Sequence, residues 1–119
     1  MALKNVLHRL TAPMTELDKE KLREFCAGHA ECSSIGAAKP REEVSLIGEI
    51  TSLRIVPRAG SPSLEATISD GSGSMVAVWT GRRRIAGVAP GKRLMINGRG
   101  APIGPAGRLL FYNPRYELL

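Results

Sequence analysis

The chain has 119 residues, 43% of them hydrophobic, 24% charged and only 4% aromatic, with a formal net charge of +6. That size suits one globular domain with an appendage, and no apolar run approaches the ~20 residues needed to cross a bilayer. The chain holds two cysteines, and its start, MALKNVLHRLTAP, lacks the apolar block of a secretory signal, so a cytoplasmic protein without a disulfide framework is expected.

The charge is unevenly spread. Residues 1–43 hold seven Lys/Arg and seven Asp/Glu, whereas residues 44–119 hold ten basic residues against four acids, and nine of the ten are arginine. A planar guanidinium suits phosphate and base faces better than an ammonium does. An excess confined to one part of a chain is the footprint of a polyanion partner; plain solubility is the competing explanation.

In chain order, Leu3, Val6, Leu7 and Leu10 recur at helical spacing and predict an amphipathic helix over 2–10, interrupted at Pro13. A second helix is expected over 14–27, with Thr15 as N-cap, Glu16, Asp18 and Glu20 in its first turn, and Met14, Leu17, Leu22 and Phe25 as its apolar side. Gly28 is the expected stop. Cys26, His29 and Cys32 lie close together, but structural zinc takes four ligands and only His8 remains elsewhere, so no metal is expected. Residues 28–43, rich in Gly, Ala and Ser, read as a connector. Packing onto the following domain and docking of a partner are both open to this head.

From residue 44 the period changes to two. Residues 44–56 (VSLIGEITSLRIV) form a long strand with Gly48 at its middle, where a bend or bulge is expected. A turn around Gly60 follows, and Leu64, Ala66 and Ile68 then alternate with Glu65, Thr67 and Ser69. Residues 74–80 are a third strand, 82–89 have room for one helical turn, 92–100 are a fourth strand and 101–107 a loop. A fifth strand starts at 108–112 and resumes at 116–119 after a break at Pro114.

The run Ser69-Asp70-Gly71-Ser72-Gly73-Ser74 raises the question of a phosphate-binding loop. A P-loop needs a lysine and a hydroxyl after its glycines and then a helix. Here a strand follows, MVAVW, so the run is a hairpin turn whose glycines supply positive φ. The layout is all-β: a five-stranded OB-fold barrel over 38–119, with a short helical extension and connector over 1–37.

Five fragments occur in order: Gly48-Glu49-Ile50, Ile68-Ser69-Asp70-Gly71-Ser72-Gly73, Ala89-Pro90-Gly91-Lys92-Arg93, Asn97-Gly98-Arg99 and Asn113-Pro114-Arg115-Tyr116-Glu117. With them the segment 38–119 resembles the tRNA-anticodon-type OB-fold nucleic-acid-binding domain. It is especially similar to the wedge domain of RecG-type helicases, which bind branched and single-stranded DNA, and to small actinobacterial OB-fold proteins with a helical head. No helicase motor motif occurs in the chain, so the resemblance implies binding and not translocation or ATP hydrolysis.

OB-folds hold single strands across the exposed face of strands two and three, between the strand 1–2 and 4–5 loops. The expected nucleic-acid contacts are Arg54, Arg58, Arg82, Arg83, Arg84, Lys92, Arg93, Arg99 and Arg108, with Trp79 as a stacking ring. Trp79 is expected outward if Val76 and Val78 form the core face, and inward in the opposite register. By alternation Phe111 or Tyr112 belongs to the core, and Tyr116 is structural. The function implied is non-catalytic, sequence-tolerant binding of single-stranded or branched nucleic acid, DNA before RNA, without cofactor or membrane. The alternative is a protein-interaction module docking a larger partner, or a second copy, through the head or a barrel face. No histidine lies in the basic part and its four acids are dispersed, which gives an enzyme little support.

Overall fold

The computed structural model describes residues 32–58 and 60–119, with Leu17, Glu20, Lys21 and Glu24, and with the side chain of Arg58 left aside. The helices expected over 2–10 and 14–27 therefore lie outside the described residues, apart from those four positions, whose backbone is helical. Cys26 and His29 lie outside them too.

A 3-10 turn at Ile35–Ala37 leads into seven strands: β1 (Glu43–Arg58), β2 (Ser61–Ser69), β3 (Ser74–Thr80), β4 (Arg93–Arg99), β5 (Ala101–Ile103), β6 (Arg108–Tyr112) and β7 (Arg115–Leu118). They form one sheet in the order β5-β6-β3-β2-β1-β4-β7. All neighbours are antiparallel except β3 and β6, which run parallel from Met75 opposite Leu109 to Val78 opposite Tyr112.

Seven strands replace the five expected, and the cause is local. Gly100 alone separates β4 from β5, and Asn113 and Pro114 separate β6 from β7. Since β4 pairs with β7 and β5 with β6, these four strands are one hairpin bent on both arms. The Pro114 break was legible; strand pairing at Ala101–Ile103, expected to be loop, was not. The two ends of the strand order belong to the same hairpin, so the sheet curls into a barrel-like shape. The second bend turns on Asn113, a non-glycine residue at φ 46. Its amide donates to the Val78 carbonyl, and its side-chain Oδ1 accepts from the Thr80 amide at 2.9 Å.

β1 serves two partners in succession, β4 along its first half and β2 along its second. The handover needs a residue without a side chain. A Cβ on Gly48 would lie 2.6 Å from Ile68 Cγ2 and 2.8 Å from the Ser69 carbonyl oxygen. The register slips just beyond, between Ile50 and Ser52, the irregularity that a long curling strand calls for.

The core gathers Leu46, Ile50, Leu64, Ala66, Ile68, Met75, Ala77, Trp79, Leu94, Ile96, Leu109 and Phe111. Each large side chain removed from water here contributes roughly 1.5–3 kcal/mol. Ile85 and Val88 close it from the loop after β3. That segment makes a single hydrogen-bonded turn, with the Val88 amide donating to the Ile85 carbonyl at 3.1 Å, where room for one helical turn was expected.

Trp79 is therefore inside, at 5% exposure, and the outward register that would have made it a stacking ring is corrected. Val76 and Val78 are buried as well, but in a second cluster with Leu110 on the opposite face of β3. Two β-branched residues marked a buried face correctly; they did not mark the only one. The Trp79 indole N–H donates to the Pro114 carbonyl at 3.3 Å, which ties the core to the bend before β7.

The 69–74 run is a hairpin turn between β2 and β3, with Gly71 at φ 87, whereas Gly73, also expected at positive φ, does not adopt it. Its amides already face an anion. The buried Asp70 carboxylate accepts from the Ser72 amide (2.9 Å), the Ser72 hydroxyl (2.6 Å) and the Gly73 amide (3.2 Å) through Oδ1. Through Oδ2 it accepts from the Ile35 amide at 2.8 Å. The Gly36 amide donates to Ser72 Oγ at 2.9 Å, and Ser33 forms a parallel bridge to Leu46. Residues 33–37, expected to be connector, are thus fastened to the barrel by the turn.

Candidate nucleic-acid interface

Strand pairing decides which of the expected cations are free. Arg54 on β1 faces Glu65 on β2 in register, and its Nη2 donates to Glu65 Oε1 at 2.8 Å. Arg93 on β4 faces Glu49 on β1, with Nε 3.5 Å from Oε1. Arg99 lies 3.5 Å from Glu43 Oε2 and donates from Nη1 to the Arg41 carbonyl at 2.9 Å. Glu43 also holds Arg115, at 2.7 Å. Three of the ten predicted contacts are therefore ion-paired by carboxylates that sit across a strand boundary. Such pairs are worth little when exposed, about 0–1 kcal/mol, but they lower the local positive potential.

Arg82, Arg83, Arg84 and Lys92 stand differently. All four are exposed, and none makes an ion pair with a described residue. They belong to one segment, the 81–92 loop, whose interior is pinned by the buried Ile85 and Val88. Its start is fixed by the Gly81 amide donating to the Pro62 carbonyl at 2.8 Å, its end by the Gly91 amide donating to the Ile50 carbonyl at 2.8 Å. The first of these bonds sets the arginine run beside the β1–β2 tip, where the Arg58 backbone pairs with Ser61. Arg108, on β6, is half-buried and its Nε is buried without a hydrogen-bond partner.

The expected face does not stay open across β3, because Val76 and Val78 are buried there. The structure sets the start of the 81–92 loop beside the β1–β2 tip, its end beside Ile50 on β1 and its middle against β7, whose Leu118 packs on Gly87. One aromatic residue that sequence reasoning did not single out as a contact precedes Asn113, which bonds Thr80 just before that loop. Tyr112 is 54% exposed, whereas Phe111 before it is 1% exposed. Alternation required that one of the two point inward; the parallel register with β3 settles which. Tyr116, in contrast, meets the Trp79 ring edge-on at a centroid separation of 5.5 Å.

Among the described residues no group of three His, Cys, Asp or Glu side chains is placed to hold a metal ion. Nor is any helix among them long and apolar enough to cross a membrane.

No protein-family model and no curated protein matches the sequence. Solved structures do. RecG bound to a three-way DNA junction matches with a TM-score of 0.53 and 22% identity, over 67% of this chain and 11% of that one. The OB domain of Ta0387 from Thermoplasma acidophilum matches with a TM-score of 0.48 and 18% identity, over 73% of this chain and 80% of that one. The matched part is thus a small fraction of the RecG chain. Together with the curled sheet and its bent closing hairpin, the likeness to RecG identifies the described region as an OB-type fold.

Proposed function

We propose that the protein binds nucleic acid without catalysis and without reading sequence, through the 81–92 loop that carries Arg82, Arg83, Arg84 and Lys92, with Arg58 at its margin. One observation carries the reading: these four exposed cations have no carboxylate partner among the described residues, while Arg54, Arg93, Arg99 and Arg115 on the strands do. Uncompensated cations along a loop fastened at both ends are held ready for successive phosphates. That the RecG chain was solved on a three-way DNA junction supports a nucleic acid as ligand and branched DNA as its form; single-stranded DNA is proposed beside it, with RNA as the lesser option. Arg54, Arg93, Arg99 and Arg108 serve at the periphery, the first three by exchanging their carboxylates for phosphate. We take residues 1–37 as an appendage to the binding domain and the cytoplasm as the place of action.

The test is a titration with fluorescent single-stranded and forked oligonucleotides at low and moderate salt. Four contacts on a single strand predict a slope of log K against log salt near about −3, and loss of about fifty-fold in affinity on a fourfold rise in salt. Changing Arg82, Arg83 and Arg84 together to alanine is expected to flatten the slope to about −0.7. Absence of binding by the unaltered protein at low salt refutes the reading; an unchanged slope in the triple variant refutes the site. A protein-interaction module is the second reading, favoured by the burial of Trp79, which removes a ring from any base-stacking surface.

A further inference from the structure

The outer face of the sheet carries a buried patch that nucleic-acid binding by the 81–92 loop does not use. Val76 and Val78 on β3 are 4% and 0% exposed and Leu110 on β6 is 9% exposed, yet all three lie on the side of the sheet away from the main core. Strand register puts Ser63 of β2 and Arg108 of β6 on the same face; Ser63 is buried, and so is the Arg108 Nε. Among the described residues no other apolar side chain joins the three. A sheet face turned to water does not hide its valines by itself, so something lies over them.

The rim of the patch is exposed on three sides: Arg54 across β1, Ala101 and Ile103 across β5, and Thr80 with Tyr112 at one end. Three strands about 4.8 Å apart make the covered strip about 10 Å across, the width of one α-helix. The fourth side is the 69–74 turn, to which residues 33–37 are fastened through the Ile35 amide and the Asp70 carboxylate. The 31 residues that precede Cys32 therefore leave the barrel beside that turn, close to Val76. Leu17, Glu20, Lys21 and Glu24 are helical and exposed, at the spacing of one helix face. At 3.6 residues per turn the opposite face falls on Leu22 and Cys26, with Phe25 beside them.

We propose that the segment 14–27 lies on the outer face of the barrel along β3 and buries Leu22 and Phe25 against Val76, Val78 and Leu110. A helix over 14–27 is about 21 Å long, and residues 28–32 reach up to about 17 Å, so the segment has the length to cover the strip from the 69–74 turn. Of the two uses open to the head, packing and partner docking, this segment takes the first. The outer face of β2 and β3, across which OB-folds hold single strands, is then closed by the chain itself. The inference holds whether or not the 81–92 loop binds phosphates.

The experiment is nuclear Overhauser spectroscopy of the full chain with labelled valine and leucine methyl groups. Contacts from the Val76, Val78 and Leu110 methyls to the Leu22 and Phe25 side chains are expected. Contacts to residues 2–10 instead, or to no residue before 32, overturn the proposal. Contacts found only between differently labelled molecules overturn it as well, and give the cover to a second copy. Leu22→Asp combined with Phe25→Asp is expected to release the segment. Trypsin then cuts after Lys19, Lys21 and Arg23 at least about ten-fold faster, while Trp79 in the main core keeps its emission. Equal cleavage rates in the two proteins overturn the proposal. The methyl contacts are read in the unaltered protein and decide the matter even if the variant fails to fold.

Discussion

Asp70 offers the sharpest test of how the barrel is held together, because its carboxylate serves two pieces of chain that are 35 residues apart. Asp70→Ala deletes an acceptor that is 3% exposed and takes four hydrogen bonds, three from its own turn and one from the Ile35 amide. The turn donors sit at exposed or half-buried residues, where water replaces much of what is lost. The Ile35 amide belongs to a buried residue and is left without a partner, a cost of about 1–3 kcal/mol. Adding a partial loss at the turn puts the total at about 2–4 kcal/mol. For a domain of this size that corresponds to a melting temperature lower by roughly 10–20 °C. Asp70→Asn keeps one acceptor oxygen but turns an amide donor on one of the two groups, and is expected to fall about halfway. Urea denaturation followed by circular dichroism measures the loss, and hydrogen exchange of the Ile35 amide locates it. An Asp70→Ala protein that melts within about 2 °C of the unaltered chain refutes the account of the turn as a fastener. So does an Ile35 amide that exchanges freely in the unaltered protein.

Gly48→Val is expected to destabilise by at least about 2–3 kcal/mol, since the new Cβ meets Ile68 Cγ2 at 2.6 Å and the Ser69 carbonyl oxygen at 2.8 Å, and backbone cannot step aside as a side chain does; urea midpoints of the two proteins decide it. The single tryptophan of the chain is expected to emit in the blue, to resist acrylamide and to keep its intensity when oligonucleotide is added, and a water-like emission maximum contradicts its place in the core. Glu65→Ala frees Arg54, a side chain 71% exposed, so stability is expected to change by less than about 1 kcal/mol while nucleic-acid affinity at low salt rises; a fall in affinity on titration rejects the peripheral role given to Arg54.

Several features are written locally and were legible without coordinates. A period of two over residues 61–69 marks one inward face, and Leu64, Ala66 and Ile68 are all buried. The Asp-Gly step demands a reversal, which Gly71 makes at φ 87, and Pro114 demands a break, because each acts through local dihedrals. The segregation of arginine into residues 44–119 is likewise a property of the chain as written.

Tertiary structure alone decided which arginines remain free and which face of β3 is inner. Arg115 meets a carboxylate 72 positions away, and no local pattern foretells that Glu43 will neutralise it while Arg82, Arg83 and Arg84 find no partner among the described residues. Alternation divides a strand into two faces but is symmetric between them. The symmetry is broken by the parallel pairing of β3 with β6 and by the bent hairpin that closes the sheet. Those contacts turn Trp79 inward onto the Pro114 carbonyl and leave Tyr112 to the solvent. Short-range dihedral preferences set the strands and turns; long-range pairing, which depends on closure of the whole sheet, set the surface they present.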